Sequence, residues 1–215
     1  MGELAPAPEP SPTRPVLRLA MVSVAALFVF YLIDTRIFVW AHERAPLLAR
    51  LADLRITSLA AIGTVYALTA SRLPLRPSRP SGTVLRVVAI WLLGTFVCVH
   101  FFGFGRVPLP RLEDRVAFAL TGSLGEELLC RGLVLGLALV RWPASQHPRR
   151  ALVFSSVVFA AMHLQYHHFD LGAAYLQMAW TLPAGYVFGL VALRTRSVGV
   201  AWVVHVINNL IVLFA

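Results

Sequence analysis

Lysine is absent from this 215-residue chain, and charge of either sign is scarce. Charged residues make up 13% of the sequence, about half the share of an ordinary soluble domain. Hydrophobic residues reach 58%. At roughly 20 apolar residues per spanning helix, most of the length can be embedded in a bilayer, with no room for a separate soluble domain. Only two cysteines occur, Cys98 and Cys130, without C-x-x-C spacing. That excludes a disulfide framework and a thiolate zinc site, and leaves both as small core residues in apolar segments. The formal charge of +9 comes entirely from arginine. Those arginines cluster between apolar runs, as the loops of a membrane protein require, and not along one phosphate-binding face. Nucleic acid is therefore not an expected partner; the lipid bilayer is.

What is present is a succession of apolar runs. A Pro/Ala-rich tail at 1–15 reads as disordered. Apolar runs follow near 16–39, 56–70, 83–104, 116–140, 150–164, 171–193 and 198–215. The first lacks a small-x-small cleavage site and reads as an uncleaved span. The expected fold is all-α, a polytopic transmembrane helical bundle of about seven spans. Arg72, Arg76, Arg79 and Arg86 crowd one connecting region, and Arg141, Arg149 and Arg150 another. By the positive-inside rule this predicts a cytoplasmic N-terminus, and the all-arginine, Ala-rich composition places the expected membrane as the inner membrane of a bacterial cell. Gly185 and Gly189, four apart on the sixth run, predict close approach by a neighbouring helix.

Against this background the stretch SLGEELLCRGLVLGLALV, residues 123–140, places Glu126, Glu127 and Arg131 inside an apolar run. Each such residue at the centre of a membrane helix costs roughly 2.5–3.5 kcal/mol on insertion scales. Glu127 and Arg131, four apart, share a helical face and can pair. Glu126 is turned about 100° away, which leaves its carboxylate available for something else. The fifth run ends FAAMHLQYHH, with His163 still in apolar sequence and His167 and His168 in an expected outer loop. The last run, VAWVVHVINNLIVLFA, carries His205 and Asn209 on one face, with Asn208 pointing elsewhere. Taken alone, the Glu–Arg pair and Asn209 read equally well as interhelical packing, and His163 reads better as a polar packing contact near the interface. Together they place a base, a second proton-handling group and amide donors at membrane depth on three spans, which are the parts a hydrolase needs.

The segments EELLCR (126–131), FAAMH (159–163) and HVINN (205–209) match E-E-x-x-x-R, F-x-x-x-H and H-x-x-x-N in order. The chain thereby resembles the CPBP intramembrane proteases, the CAAX-processing and bacteriocin-processing group also called Abi. The Ras-converting CAAX endopeptidase is a eukaryotic branch of that group. The connecting GYVFGLVALRTRSVGVAW is also similar to the family's stretch between its second and third motifs. The resemblance covers roughly 112–213. It implies accessory transmembrane helices over 16–110 and an intramembrane protease domain over 111–215.

The resemblance implies that Glu126 and His163 activate water, that Glu127 and Arg131 support them, and that His205 and Asn209 stabilise the oxyanion. Glu126, His163, His205 and Asn209 are expected to converge on one polar cavity. Zinc is the open question, because Glu126, His163 and His205 are possible ligands by type. Asn209 is a poor zinc ligand, and no H-E-x-x-H pair is present, so a metal-free glutamate mechanism without cofactor is the preferred reading. The implied partner is a membrane-tethered protein or peptide: a prenylated C-terminus, a leader peptide or a C-terminal sorting helix. An all-arginine, Ala-rich composition suggests a GC-rich bacterial genome, which makes the prenylated substrate the weakest of the three. Two other readings compete: a non-catalytic membrane scaffold or immunity factor, and a proton-coupled transporter. Intact motif positions speak against the first, and the lack of inverted repeats against the second.

Overall fold

The computed structural model describes residues 79–103, 109, 111–167 and 169–215, with the isolated positions Ala25, Trp40, Glu43 and Arg44. The expected tail 1–15, the expected spans 16–39 (apart from Ala25) and 56–70, and His168 lie outside the described residues. Among the described residues every regular element is a helix.

Helix α1, Gly82–Phe102, begins where the Ser81 hydroxyl accepts the N–H of Val84 at 3.4 Å. It ends at Gly103, whose φ of 64° is a left-handed turn that glycine adopts without a Cβ clash. Helix α2 runs without a break through residues 112–141, but its turns change width along the way. Ordinary α-turns occupy Leu112–Val116, Ser123–Glu127 and Gly136–Arg141, and wider π-turns occupy Ala117–Gly122 and Leu128–Leu135. Every residue of Leu128–Leu135 is buried, so this stretch is the axis of the bundle. Helix α3, Pro148–Met162, opens with a proline in its first turn, where the missing N–H removes no bond. It tightens at its end into a 3-10 turn, His163–His167.

Phe169, at a left-handed φ of 64°, reverses the chain. Asp170 then caps helix α4, Leu171–Thr195, accepting from Gly172 N at 2.8 Å and Ala173 N at 3.3 Å. Pro183 sits inside α4 without ending it. Ser197 caps helix α5, Val198–Phe214. Helix α4 lies between α3 and α5, α2 packs on α3 and α5, and α1 covers α5 and α4 from outside.

Among the described residues two helices, α1 and α4, are long and apolar enough to cross a membrane, and α5 is apolar but shorter. Helix α1 points Ile90, Leu93, Phe101 and Phe102 outward, with Phe102 76% exposed. Apolar surface of that extent needs lipid or another chain against it.

Both glycines of the small-x3-small pair face α3, but unequally. A Cβ on Gly185 would meet Ser156 Cα at 3.1 Å and Phe159 Cδ1 at 3.0 Å. A Cβ on Gly189 would meet only the end of Leu152, Cδ2, at 3.1 Å. Backbone cannot yield as a leucine methyl can, and overpacking costs about 1–3 kcal/mol. Gly185→Ala is therefore expected to lower the melting temperature in detergent. Gly189→Ala should leave it unchanged or raise it, since alanine is the better helix former by about 1 kcal/mol. Equal melting of the two variants would show that the close approach at Gly185 does not matter.

Candidate active site

Among the described residues, Arg131 is the largest fully buried side chain. Its guanidinium has to be satisfied from three directions. Nη1 lies 3.0 Å from Glu127 Oε1, an ion pair one turn back along α2. The contact is out of line for a hydrogen bond, so its attraction is Coulombic. Nη2 donates to the Gly185 carbonyl at 3.1 Å. The planar group also lies over two rings, with Cζ 4.2 Å from the Phe159 centroid and 5.4 Å from that of Phe188. Desolvated cation–π contacts of this kind contribute about 2 kcal/mol or more. Gly185 thus does more than admit α3: its bare backbone lets a carbonyl reach Arg131.

Glu127 is also fully buried, and it faces two basic side chains. The oxygen that faces Arg131 also accepts from His205 Nδ1 on α5 at 2.8 Å. A carboxylate only accepts, so Nδ1 of His205 carries the proton of this bond. The other nitrogen of the ring, Nε2, lies 3.8 Å from Glu126 Oε2. The two adjacent carboxylates therefore stand at opposite nitrogens of one imidazole. A helical wheel turns Glu126 away from Glu127 and its partner, and so it does here with respect to Arg131. The His205 ring bridges the angle between them, which no single-helix argument can foresee.

The sequence pairs Glu127 with Arg131, and the structure adds His205 to the same carboxylate. Glu126, 8% exposed, also has a second contact, because the Tyr166 hydroxyl donates to its Oε1 at 3.2 Å.

His163 stands where α3 gives way to the 3-10 turn. Its Nδ1 is 2.8 Å from the Phe159 carbonyl, one turn earlier. A carbonyl cannot donate, so Nδ1 is the N–H and Nε2 carries the free lone pair of the neutral ring. The motif-two phenylalanine has a physical role in this. The Phe159 ring meets His163 edge-on at 5.0 Å and His205 at 5.8 Å, and takes Arg131 on its face. Phe188 of α4 stacks on His205 at 4.7 Å and completes the aromatic wall. His167 is not in open loop: its Nε2 donates to Gln177 Oε1 of α4 at 2.6 Å.

Asn209 lies one turn beyond His205 on α5, and its Nδ2 donates to the Phe118 carbonyl of α2 at 3.4 Å. Asn208, on a different face, accepts from Trp91 Nε1 at 3.0 Å and lies 3.1 Å from Thr95 Oγ1, both on α1. Glu126, Glu127, Arg131 and His205 are thus in direct contact or close approach. His163 joins them through Phe159 and Tyr166, and Asn209 is tied to the α2 backbone nearby. Tyr166 and Phe188 were not singled out by the sequence. Spacing from the histidines was their only signal, and it carries no weight without the fold.

Among the described residues, no three His, Cys, Asp or Glu side chains are grouped as a metal ion would require. Glu126, His163 and His205, the ligand types zinc would use, do not form such a group as placed.

A family model described as Type II CAAX prenyl endopeptidase Rce1-like matches residues 112–211. The matched segment runs from the first residue of α2 almost to the end of α5, and includes all seven motif positions. No curated protein and no solved structure matches the chain.

Proposed function

From a segment, residues 112–211, that belongs to the Rce1-like family of type II CAAX prenyl endopeptidases, we propose that this membrane protein hydrolyses a peptide bond in a membrane-tethered substrate. The observation that carries the reading is the approach of Glu126 to His205, both buried and 3.8 Å apart, on helices distant in sequence. A carboxylate and an imidazole brought together away from water are costly for folding alone. They are the groups needed to move a proton and hold a developing charge.

In the proposed mechanism, Glu126, assisted by Nε2 of His163, takes a proton from water as its oxygen attacks the scissile carbonyl carbon. The carbonyl π-electrons move onto oxygen, and the tetrahedral oxyanion accepts hydrogen bonds from His205 and Asn209. Collapse of the intermediate breaks the C–N bond. The proton held by Glu126 passes to the leaving amine, which restores the carboxylate. Because Nδ1 of His205 is already donating to Glu127, an oxyanion bond from Nε2 requires the imidazolium. Glu127 is the anion that supports it. The charges then balance, with two carboxylates facing one guanidinium and one imidazolium. No step needs a metal ion. The complete chain would form about seven spans with its N-terminus in the cytoplasm.

The test uses the full chain reconstituted in liposomes with two substrates: a farnesylated peptide ending in the CAAX pattern, and an unprenylated single-span peptide. Mass spectrometry of the released fragments reads cleavage. Wild-type protein should cleave at least one of them, and cleavage should persist with a chelator. Cleavage of neither would overturn the endopeptidase reading, and loss with chelator that zinc restores would overturn the metal-free mechanism. Asn209→Ala should slow turnover by about 10²–10³-fold, as loss of one oxyanion donor does, with little change in melting. Unchanged turnover would remove Asn209 from the oxyanion site.

A further inference from the structure

Tyr166 reaches the site through the shape of the turn that carries it. In a 3-10 helix, with three residues per turn, side chains at i and i+3 eclipse. His163 and Tyr166 are so related in the turn His163–His167. Their rings meet edge to face at 5.7 Å. Had α3 continued with α-helical geometry, Tyr166 would have been turned about 60° from His163 and away from its neighbour's partners. Tightening the last turn sets Tyr166 beside His163 and brings its hydroxyl to Glu126.

Which oxygen of Glu126 does what then follows from the contacts. The Tyr166 hydroxyl donates to Oε1 at 3.2 Å. Oε2 is left facing His205 Nε2 at 3.8 Å. The other charged or titratable groups around this carboxylate are Glu127, Arg131 and Cys130 on α2 and His163 at the end of α3. None of these four is hydrogen-bonded to Glu126. We infer that Tyr166 is a positioning residue for the reaction: its hydroxyl holds Oε1 of Glu126, so that Oε2 is the oxygen that takes the proton from water. The inference rests on the endopeptidase reading for its chemistry and on the 3.2 Å contact for its geometry. When Oε2 gains a proton, Oε1 becomes the carbonyl oxygen and still accepts from Tyr166. The hydroxyl therefore favours one of two protonation sites without itself gaining or losing a proton. It also fixes a side chain whose rotors would otherwise sample orientations turned from the substrate.

The experiment compares wild-type protein with Tyr166→Phe and Tyr166→Leu on the peptide that the wild type cleaves. Phenylalanine keeps the ring against His163 and removes only the donor. Tyr166→Phe should lower kcat about ten- to hundredfold, the value of a hydrogen bond to a charged group, with KM and melting temperature unchanged. Tyr166→Leu should lose at least as much kcat and also melt earlier, because the ring contact is gone. Wild-type kcat in Tyr166→Phe, or a loss that follows melting temperature, would overturn the inference. A rise in KM at constant kcat would do the same, since it would mark a substrate-binding group instead. Infrared difference spectra give a readout independent of turnover. Tyr166→Phe should shift a carboxylate stretching band that Glu126→Gln abolishes. Absence of that shift refutes the contact even where the protein cleaves neither peptide, which would separately refute the endopeptidase reading.

Discussion

Glu126→Gln is expected to reduce cleavage by about 10²–10⁴-fold, the usual contribution of a general base, with the protein still folded. Glutamine has the volume of glutamate and keeps an oxygen for the Tyr166 hydroxyl, so the contact at Oε1 survives the change. What is lost is the ability to accept a proton from water. The substitution also removes a buried negative charge, and Glu126 has no guanidinium of its own to strand. Melting in detergent should consequently change little. Turnover on the liposome-borne peptide and a melting curve, measured on the same preparation, decide the matter. Activity close to wild type would sink the assignment of the base. Loss of activity together with a large fall in melting temperature would make Glu126 structural.

Glu127→Gln should have the opposite profile. Glu127 is the carboxylate against which Arg131 and His205 are both set, at 3.0 and 2.8 Å. Replacing it with an amide leaves a guanidinium buried in an apolar axis with only the Gly185 carbonyl and two aromatic faces. Breaking a buried pair in this way costs roughly 3–5 kcal/mol. Yield and melting temperature should fall, and activity should fall with them, because Phe159 and His205 lean on the same guanidinium-carboxylate unit. The double variant Glu127→Leu with Arg131→Leu should be destabilised by less than the sum of its two single changes, since neither leaves the other's charge unpaired. Additive losses in that cycle would show that the two residues stabilise the bundle independently.

The sequence makes the described helices legible to within a few residues. Expected runs at 83–104, 171–193 and 198–215 correspond to Gly82–Phe102, Leu171–Thr195 and Val198–Phe214. Their ends are marked by local chemistry: Ser81, Asp170 and Ser197 as caps, and Gly103 as a stop. The π-turns of α2 were not legible, because a wider turn leaves the apolar pattern of an all-buried stretch unchanged. Nor did Pro183 announce that α4 would continue past it. In the site, the Glu127–Arg131 contact depends only on spacing within one helix, and spacing was enough to expect it. Tyr166 on Glu126, Phe188 on His205 and His205 on Glu127 all depend on how separate helices cross. The linear pattern has no term for that crossing.

The clasp on Asn208 bears on what can be handled as one piece. Trp91 and Thr95 belong to α1, which precedes the segment that carries the family pattern, yet both reach the side chain beside Asn209. Trp91 also leans on Trp180 of α4 at 5.2 Å, so the same indole touches both helices of the final hairpin. A chain cut at Leu112 would retain every motif residue and lose the outer helix that fixes the register of α5. For expression, fusion or transplantation, the indivisible part begins no later than Ser81, well upstream of the first recognisable motif.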